Sequence, residues 1–311
     1  QGLRVRWGAD DGGALVLDVR DGADGHADEA LIAARDLQLS ALAPWAALKP
    51  ELSPGMAQWL GTGKPRGKLG QVALRWTRAG GVASANVGFS GLGIDAVGKL
   101  PGIDRLDGVL RGDAGALSVE LPPQATVLRF PHTFRKPFAL SRLAGDIAAW
   151  HEDGDWHLGI EPLDFVGAGF GGQARGEIRL PDAGGHPFLD LYAMLDHADM
   201  DAAKLFWPID SMSPQAIEWL DRALVAGKIE RSDMLVRGDL KDWPFHANEG
   251  RFEARAELSG LSLDYGRNWP RAEGINAVAN FVNNSMLVET SGGESLGVKT
   301  ERAVAVIPDL A

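Results

Sequence analysis

The sequence predicts a mainly β chain of antiparallel strands, each with one polar and one apolar face, interrupted by a few short helices. Period-2 alternation recurs along its 311 residues, in Leu3, Val5 and Trp7, in Val72, Leu74 and Trp76, and in Trp156, Leu158 and Ile160. It is clearest where Ala174, Gly176, Ile178 and Leu180 alternate with Gln173, Arg175, Glu177 and Arg179. Such one-sided strands belong to antiparallel sheets. Forty glycines, many of them between these runs, supply the turns.

The run "RFEARAELSGLSLDYG" over 251–266 carries a more detailed message. Arg251, Glu253, Arg255 and Glu257 alternate with Phe252, Ala254, Ala256 and Leu258, and then the phase slips, so that the apolar set continues as Leu261, Leu263 and Tyr265. A one-residue slip would turn the apolar set to the other face unless a bulge absorbs the extra residue. Ser259 and Gly260 supply it, which predicts one strand bent there with all seven apolar residues on one face. Ala83, Ala85, Val87 and Phe89, followed by Leu92 and Ile94 after Ser90 and Gly91, repeat the slip.

Helical patterns are few. "SPQAIEWLDRALVAG" predicts a helix capped by Ser213, entered at Pro214, presenting Ile217, Leu220 and Leu224 on one face and running to about Ala226 before Gly227. "SPGMAQWLGTG" from Ser53 is its counterpart: Ser53, Pro54, Trp59, Leu60, Gly67 and Lys68 match Ser213, Pro214, Trp219, Leu220, Gly227 and Lys228, 160 positions on. "SGLGID" from Ser90 then matches "SGLSLD" from Ser259, 169 positions on, so the second copy carries a nine-residue insertion near "GDLKDWPFHANEG". The expected organisation is leading strands over 1–35, a degenerate helix-plus-strands repeat over 36–125, connecting strands over 126–196, a second repeat over 197–295 and a final strand over 296–311. All of it reads as one continuous elongated domain, and the opening Gln in place of Met suggests an excerpt of a longer chain or a processed one.

Composition excludes several classes. A net charge of −11 and a pI near 5.1 argue against nucleic acid and against broad adsorption to anionic lipid. The absence of cysteine removes disulfides, thiol catalysis and Cys-ligated zinc. No run is apolar enough to span a membrane and there is no signal peptide, which places any anchor outside this excerpt.

Motifs for chemistry fail on context. "GAGFGG" over 167–172 has nucleotide-loop spacing but precedes an alternating strand rather than a helix, which predicts a hairpin turn. "TGKPRGKL" lacks both the first glycine and the final Ser or Thr of a phosphate loop, and Lys68 reads as a solvated residue. "HEDGDWH" gathers His151, Glu152, Asp153, Asp155 and His157 around Gly154, a hairpin tip rather than a metal site. "DVRDGADGHADE" has oxygen ligands without calcium-loop spacing. No cofactor, metal or catalytic residue is expected.

Over 205–289 the elements "WP", "MSP..IEWL", "AGKI", "RGDL.DWPF" and "G.FEA.A...GL.LDY...WP....I.A...F....M.VE" occur in order. This multi-part pattern resembles the AsmA-like superfamily of the Gram-negative envelope, in particular its YhdP branch; the first copy lacks "RGDL.DWPF" and the aromatic of "NWP". The resemblance implies a long twisted antiparallel sheet curled into an open hydrophobic groove, taco-like, standing in the periplasm and anchored in the inner membrane outside this excerpt. It is similar to the bridge-like lipid transfer proteins, which implies phospholipid or another acyl-chain lipid as partner and intermembrane phospholipid transport as function, without enzymatic activity.

The residues alone pose the same question. An oily sheet face must be covered by another sheet, by helices or by a ligand, and the helices here are few. A packed sandwich or barrel core is the ordinary solution. Small residues on the oily side, among them Ala83, Ala85, Ala174, Gly176, Ala254 and Ala256, leave width where a core wants bulk. The candidate lining is therefore Val72, Leu74, Trp76, Val87, Phe89, Leu92, Ile94, Trp156, Leu158, Ile160, Ala174, Ile178, Leu180, Phe252, Ala254, Ala256, Leu258, Leu261, Leu263 and Tyr265. The alternative function is an envelope scaffold that assists outer-membrane protein assembly by strand addition; an enzyme acting on envelope glycans comes a distant third.

Overall fold

Alternation and glycine punctuation produce the expected class, a mostly β chain of antiparallel strands with few short helices. The computed structural model describes residues 2–6, 14–41, 61–98, 100–182, 184–266 and 268–309. The strands are β1 (Gly2–Arg6), β2 (Ala14–Asp21), β3 (Ala27–Gln38), β4 (Arg66–Thr77), β5 (Gly81–Ile94), β6 (Gly102–Gly112), β7 (Ala116–Arg129), β8 (Phe138–Glu152) and β9 (Asp155–Gly167). They continue as β10 (Phe170–Pro181), β11 (Phe188–Asp199), β12 (Leu224–Asp239), β13 (Arg251–Leu263), β14 (Ala272–Val282), β15 (Ser285–Ser291), β16 (Glu294–Ser295), β17 (Val298–Lys299) and β18 (Arg302–Ile307). Two α-helices, α1 (Met200–Ala203) and α2 (Pro214–Ala223), lie between β11 and β12. The helix expected from Ser53, and Trp7, lie outside the described residues.

The chain divides into two compact units, Gln1–Pro131 with Arg142–His151, and His132–Ser141 with Glu152–Ala311. In the first, β1 to β7 form an antiparallel meander in which each strand pairs with the next. Its packed centre is Ala34, Leu37 and Val72, with Leu15, Leu69, Leu74 and Val87 against them. In the second, β9 to β15 continue in the same manner, and β18 closes onto β15. The short pair β16 and β17 extends the end of β14.

The bulge is present in both places. Leu258 pairs with Ala277 and Leu261 with Ile275, so Ser259 and Gly260 together face Asn276 and the apolar set keeps its face. Phe89 pairs with Gly108 and Leu92 with Leu106, so Ser90 and Gly91 face Asp107. In each case the glycine has φ +60 and its N–H donates to the facing side chain, Gly260 to Asn276 Oδ1 at 3.2 Å and Gly91 to Asp107 Oδ1 at 2.6 Å. No neighbouring atom lies within 4 Å of a Cβ built on either glycine, so the requirement is conformational rather than one of space. Gly260→Ala and Gly91→Ala are each expected to lower unfolding free energy by about 1–2 kcal/mol, read from urea midpoints; unshifted midpoints would refute the left-handed requirement.

Three sequence expectations are corrected. Helix α2 ends at Ala223, not Ala226, and Leu224 opens β12 by pairing with Leu263. Gly227, read as the helix end, sits within β12 at φ +123, where an added Cβ would meet Leu261. The sheet outcompetes the last helical turn because Leu224 and Ala226 find ladder partners on β13. Tyr265 lies two residues beyond β13 and is exposed, leaving six of the seven predicted residues in the strand. Ser213 caps the helix as expected, accepting from Ala216 N at 3.2 Å.

Candidate functional site

Residues directly opposite in an antiparallel pair share a face, so the registers trace each face across the sheet. In the second unit one row runs Leu163, Ala174, Ala193, Met234, Ala254, Phe281, Met286, Ile307 from β9 to β18. The next row runs Phe165, Gly172, Leu195, Ser232, Ala256, Ala279, Val288, Ala305. A single hydroxyl interrupts sixteen positions on eight strands. In the first unit the corresponding rows are Leu15, Ala34, Val72, Val87, Leu110, Val119 and Leu17, Ile32, Leu74, Ala85, Gly112, Leu117.

The opposite face of the second unit is laced with ion pairs. Arg231 bonds Asp233 at 3.0 Å, Arg255 bonds Glu257 at 2.5 Å, and Arg302 bonds Glu289 at 2.9 Å. Tyr192 donates its hydroxyl to Asp233 and lies under the Arg175 guanidinium, 5.0 Å from it. Arg231, and after it the Tyr192 hydroxyl, hold the Asp233 carboxyl down at about 2. On the polar face of the first unit, Arg66 bonds Asp95 at 2.8 Å and shares Asp104 with Arg129.

The apolar faces are neither packed nor bare. Of the predicted lining residues, Val72, Ile94 and Leu261 are buried, Trp156, Leu180 and Tyr265 are exposed, and the others are half-buried. A sandwich core would bury the large ones completely. Within the second unit, full burial is found at Phe170 (2% exposed) and Ala198 (1%), at Phe245 (0%) in the loop after β12, and at Ala223 (0%) in the segment 200–223.

That segment lies against the apolar face. Phe206, in a 3-10 turn after α1, packs on Phe138 and Phe170 with ring centroids 5.2 Å apart in each case, and Phe138 meets Phe134 at 5.0 Å. Further along, Ser211 accepts from Trp243 Nε1 at 2.8 Å, and Trp243 packs edge-on to Phe252, an apolar-face residue of β13. Residues 200–223 therefore cross the face from the end of β11 toward the loop between β12 and β13, and return to open β12. Arg135 fixes the return by gripping Asp221 through both guanidinium nitrogens, at 2.5 and 2.9 Å. The guanidinium holds the Asp221 carboxyl below its ordinary range.

Sequence reading missed Phe165, Leu191, Leu195, Met234 and Phe281. In β11 and β14 the outward set contains Phe188, Tyr192, Met194, Val278 and Val282, so hydrophobicity does not alternate there although the side chains do. Two of the candidate motifs form the turns their glycines predict. "GAGFGG" is the turn between β9 and β10, and "HEDGDWH" turns through Asp153 and Gly154, both at positive φ. Lys68 is exposed and stands in β4 opposite Ser90. Among the described residues no group of three or more His, Asp or Glu side chains is arranged to hold a metal ion, and no helix is long and apolar enough to cross a membrane.

The YhdP protein family matches residues 3–311. The chain belongs to that family. A curated relative, the intermembrane phospholipid transporter YhdP of Escherichia coli K12, is 25% identical over 307 residues, covering 96% of this chain. The chain spans 24% of that relative's length. No solved structure matches. The family match includes the motifs over 205–289 and also reaches across the first unit.

Proposed function

We propose that this chain takes part in intermembrane phospholipid transport, with its apolar faces forming the lining of a groove that carries acyl chains while polar headgroups stay at the water boundary. The observation that carries this reading is the half-exposed apolar face, continuous by register and floored by small side chains. A protein face of this kind is stable in water only if something apolar lies on it for much of the time. The YhdP relative's activity is consistent with lipid as that ligand. The lining is the predicted set with Tyr265 at its border, extended by Phe165, Leu191, Ala193, Leu195, Met234 and Phe281. The chain works in the periplasm, tied to the inner membrane through sequence outside it, and breaks no bonds.

One observation favours strand addition instead. Every residue of β18 is exposed, Val304 at 52% and Val306 at 64%, and among the described residues β18 pairs only with β15. Native mass spectrometry of the purified chain separates the two. The transport reading expects copurifying phospholipid that organic extraction removes. A lipid-free chain that captures an unfolded outer-membrane barrel protein would overturn it.

A further inference from the structure

Asp221 occupies a set of donors better suited to a different anion. Its two carboxylate oxygens are both taken by Arg135, Oδ2 by Nη1 and Oδ1 by Nη2. Trp207 turns its buried indole N–H toward the same carboxylate and helps to hold it below its ordinary range, but falls short of good hydrogen-bond geometry. Lys204, only 19% exposed, spends its ammonium on the Asp221 main-chain carbonyl at 3.2 Å and on the exposed Asp201 at 3.5 Å. A buried donor held short of good geometry with its acceptor is costly, and this one sits beside two cations.

We propose that Arg135, Lys204 and Trp207 form a binding site for the phosphate group of a phospholipid, that Asp221 fills it in the lipid-free protein, and that phosphate displaces Asp221 and so releases residues 200–223 from the apolar face. The guanidinium fork fits phosphate as it fits carboxylate. A phosphodiester carries the same single charge as Asp221 and is not tethered to the helix, so it can turn an oxygen to Trp207 while keeping the fork on Arg135. The same two segments carry the apolar half of the site: Phe134 precedes Arg135, and Phe206 precedes Trp207 and packs on Phe138 and Phe170. A headgroup at the fork therefore starts its acyl chains on the aromatic cluster. The Arg135 and Asp221 pair is about one-third exposed, so water can take over its contacts during exchange. This inference rests on the lipid-transport reading and adds to it a headgroup site coupled to the crossing segment.

The test uses the full chain with three probes: dihexanoyl phosphatidylglycerol below its micelle threshold, dihexanoylglycerol, and inorganic phosphate. The phosphatidylglycerol is expected to bind and to speed amide exchange over 200–223 about tenfold, with the other two probes far weaker. Asp221→Asn, which weakens the competitor at constant shape, should tighten phosphatidylglycerol binding about tenfold or more, and Arg135→Gln should abolish it. Glu218→Gln, an exposed change on the same helix, serves as the control. If Arg135→Gln melts early, Lys204→Gln and Asp221→Asn carry the test. Equal binding of dihexanoylglycerol, the same exchange response to inorganic phosphate alone, or unchanged affinity in Asp221→Asn would each overturn the proposal. Loss of transport in the parent protein with this binding intact would strike the transport reading and leave the site standing.

Discussion

Ala254→Asp is expected to reduce lipid transfer between inner and outer membranes by at least about tenfold when placed in the full-length protein, because a carboxylate there meets only apolar partners. Ala254 pairs with Met234 on β12 and Phe281 on β14, so no polar group directly opposite can compensate it. An acyl chain passing over the residue would strip water from the charge at a cost on the order of several kcal/mol. Glu253→Ala, one residue away, removes a half-exposed carboxylate paired with Arg251 on the opposite face and should change stability by less than about 0.5 kcal/mol and transfer not at all. The contrast isolates the face from the strand, since strand addition uses backbone groups that both variants keep. Melting of each variant controls for misfolding. A well-folded Ala254→Asp protein as active as the parent would count against an acyl-chain lining.

Phe245→Ala should destabilise the second unit by about 3–5 kcal/mol, the range for emptying a buried aromatic site. Phe245 is 0% exposed and lies in the loop between β12 and β13. Its ring occupies the space above Gly238 and Gly250, and a Cβ added at Gly238 would lie only 2.7 Å from it. Trp243 stacks edge-on to Phe245 at 5.5 Å and to Phe252 at 5.5 Å, and bonds Ser211. Emptying the site should therefore loosen both the loop and residues 200–223, seen as faster amide exchange in 200–223 together with a lower urea midpoint. Phe245→Leu, which keeps most of the volume, should cost much less. A midpoint unchanged in Phe245→Ala would mean that the loop bears no load in this fold.

The family assignment has a physical basis in the order of these elements. "MSP..IEWL" is the capped helix α2, and "RGDL.DWPF" is the end of β12 with the loop that holds Phe245. "GL.LDY" spans the bulge glycine, the end of β13 and the two residues after it. Within these motifs Ser213 caps the helix, Gly260 forms the bulge, and Trp243 and Phe245 fill the loop after β12.

By itself the amino-acid sequence determined the strand class, the polar and apolar faces of β9, β10 and β13, the two bulges and the start of α2. These are local properties: a period of two, a glycine at positive φ and a capping serine are decided within a few residues. Only the tertiary structure decided where α2 ends, because the pairing of Leu224 with Leu263, a residue distant in sequence, competes with the last helical turn. It alone decided the faces of β11 and β14, where Tyr192, Val278 and Val282 point to the charged side and hide the alternation. The crossing of residues 200–223 over the apolar face, with Arg135 on Asp221 and Trp243 on Ser211, is likewise invisible in the sequence. Those partners are 86 and 32 positions apart, and nothing local distinguishes a side chain that will meet such a partner from one that will meet water.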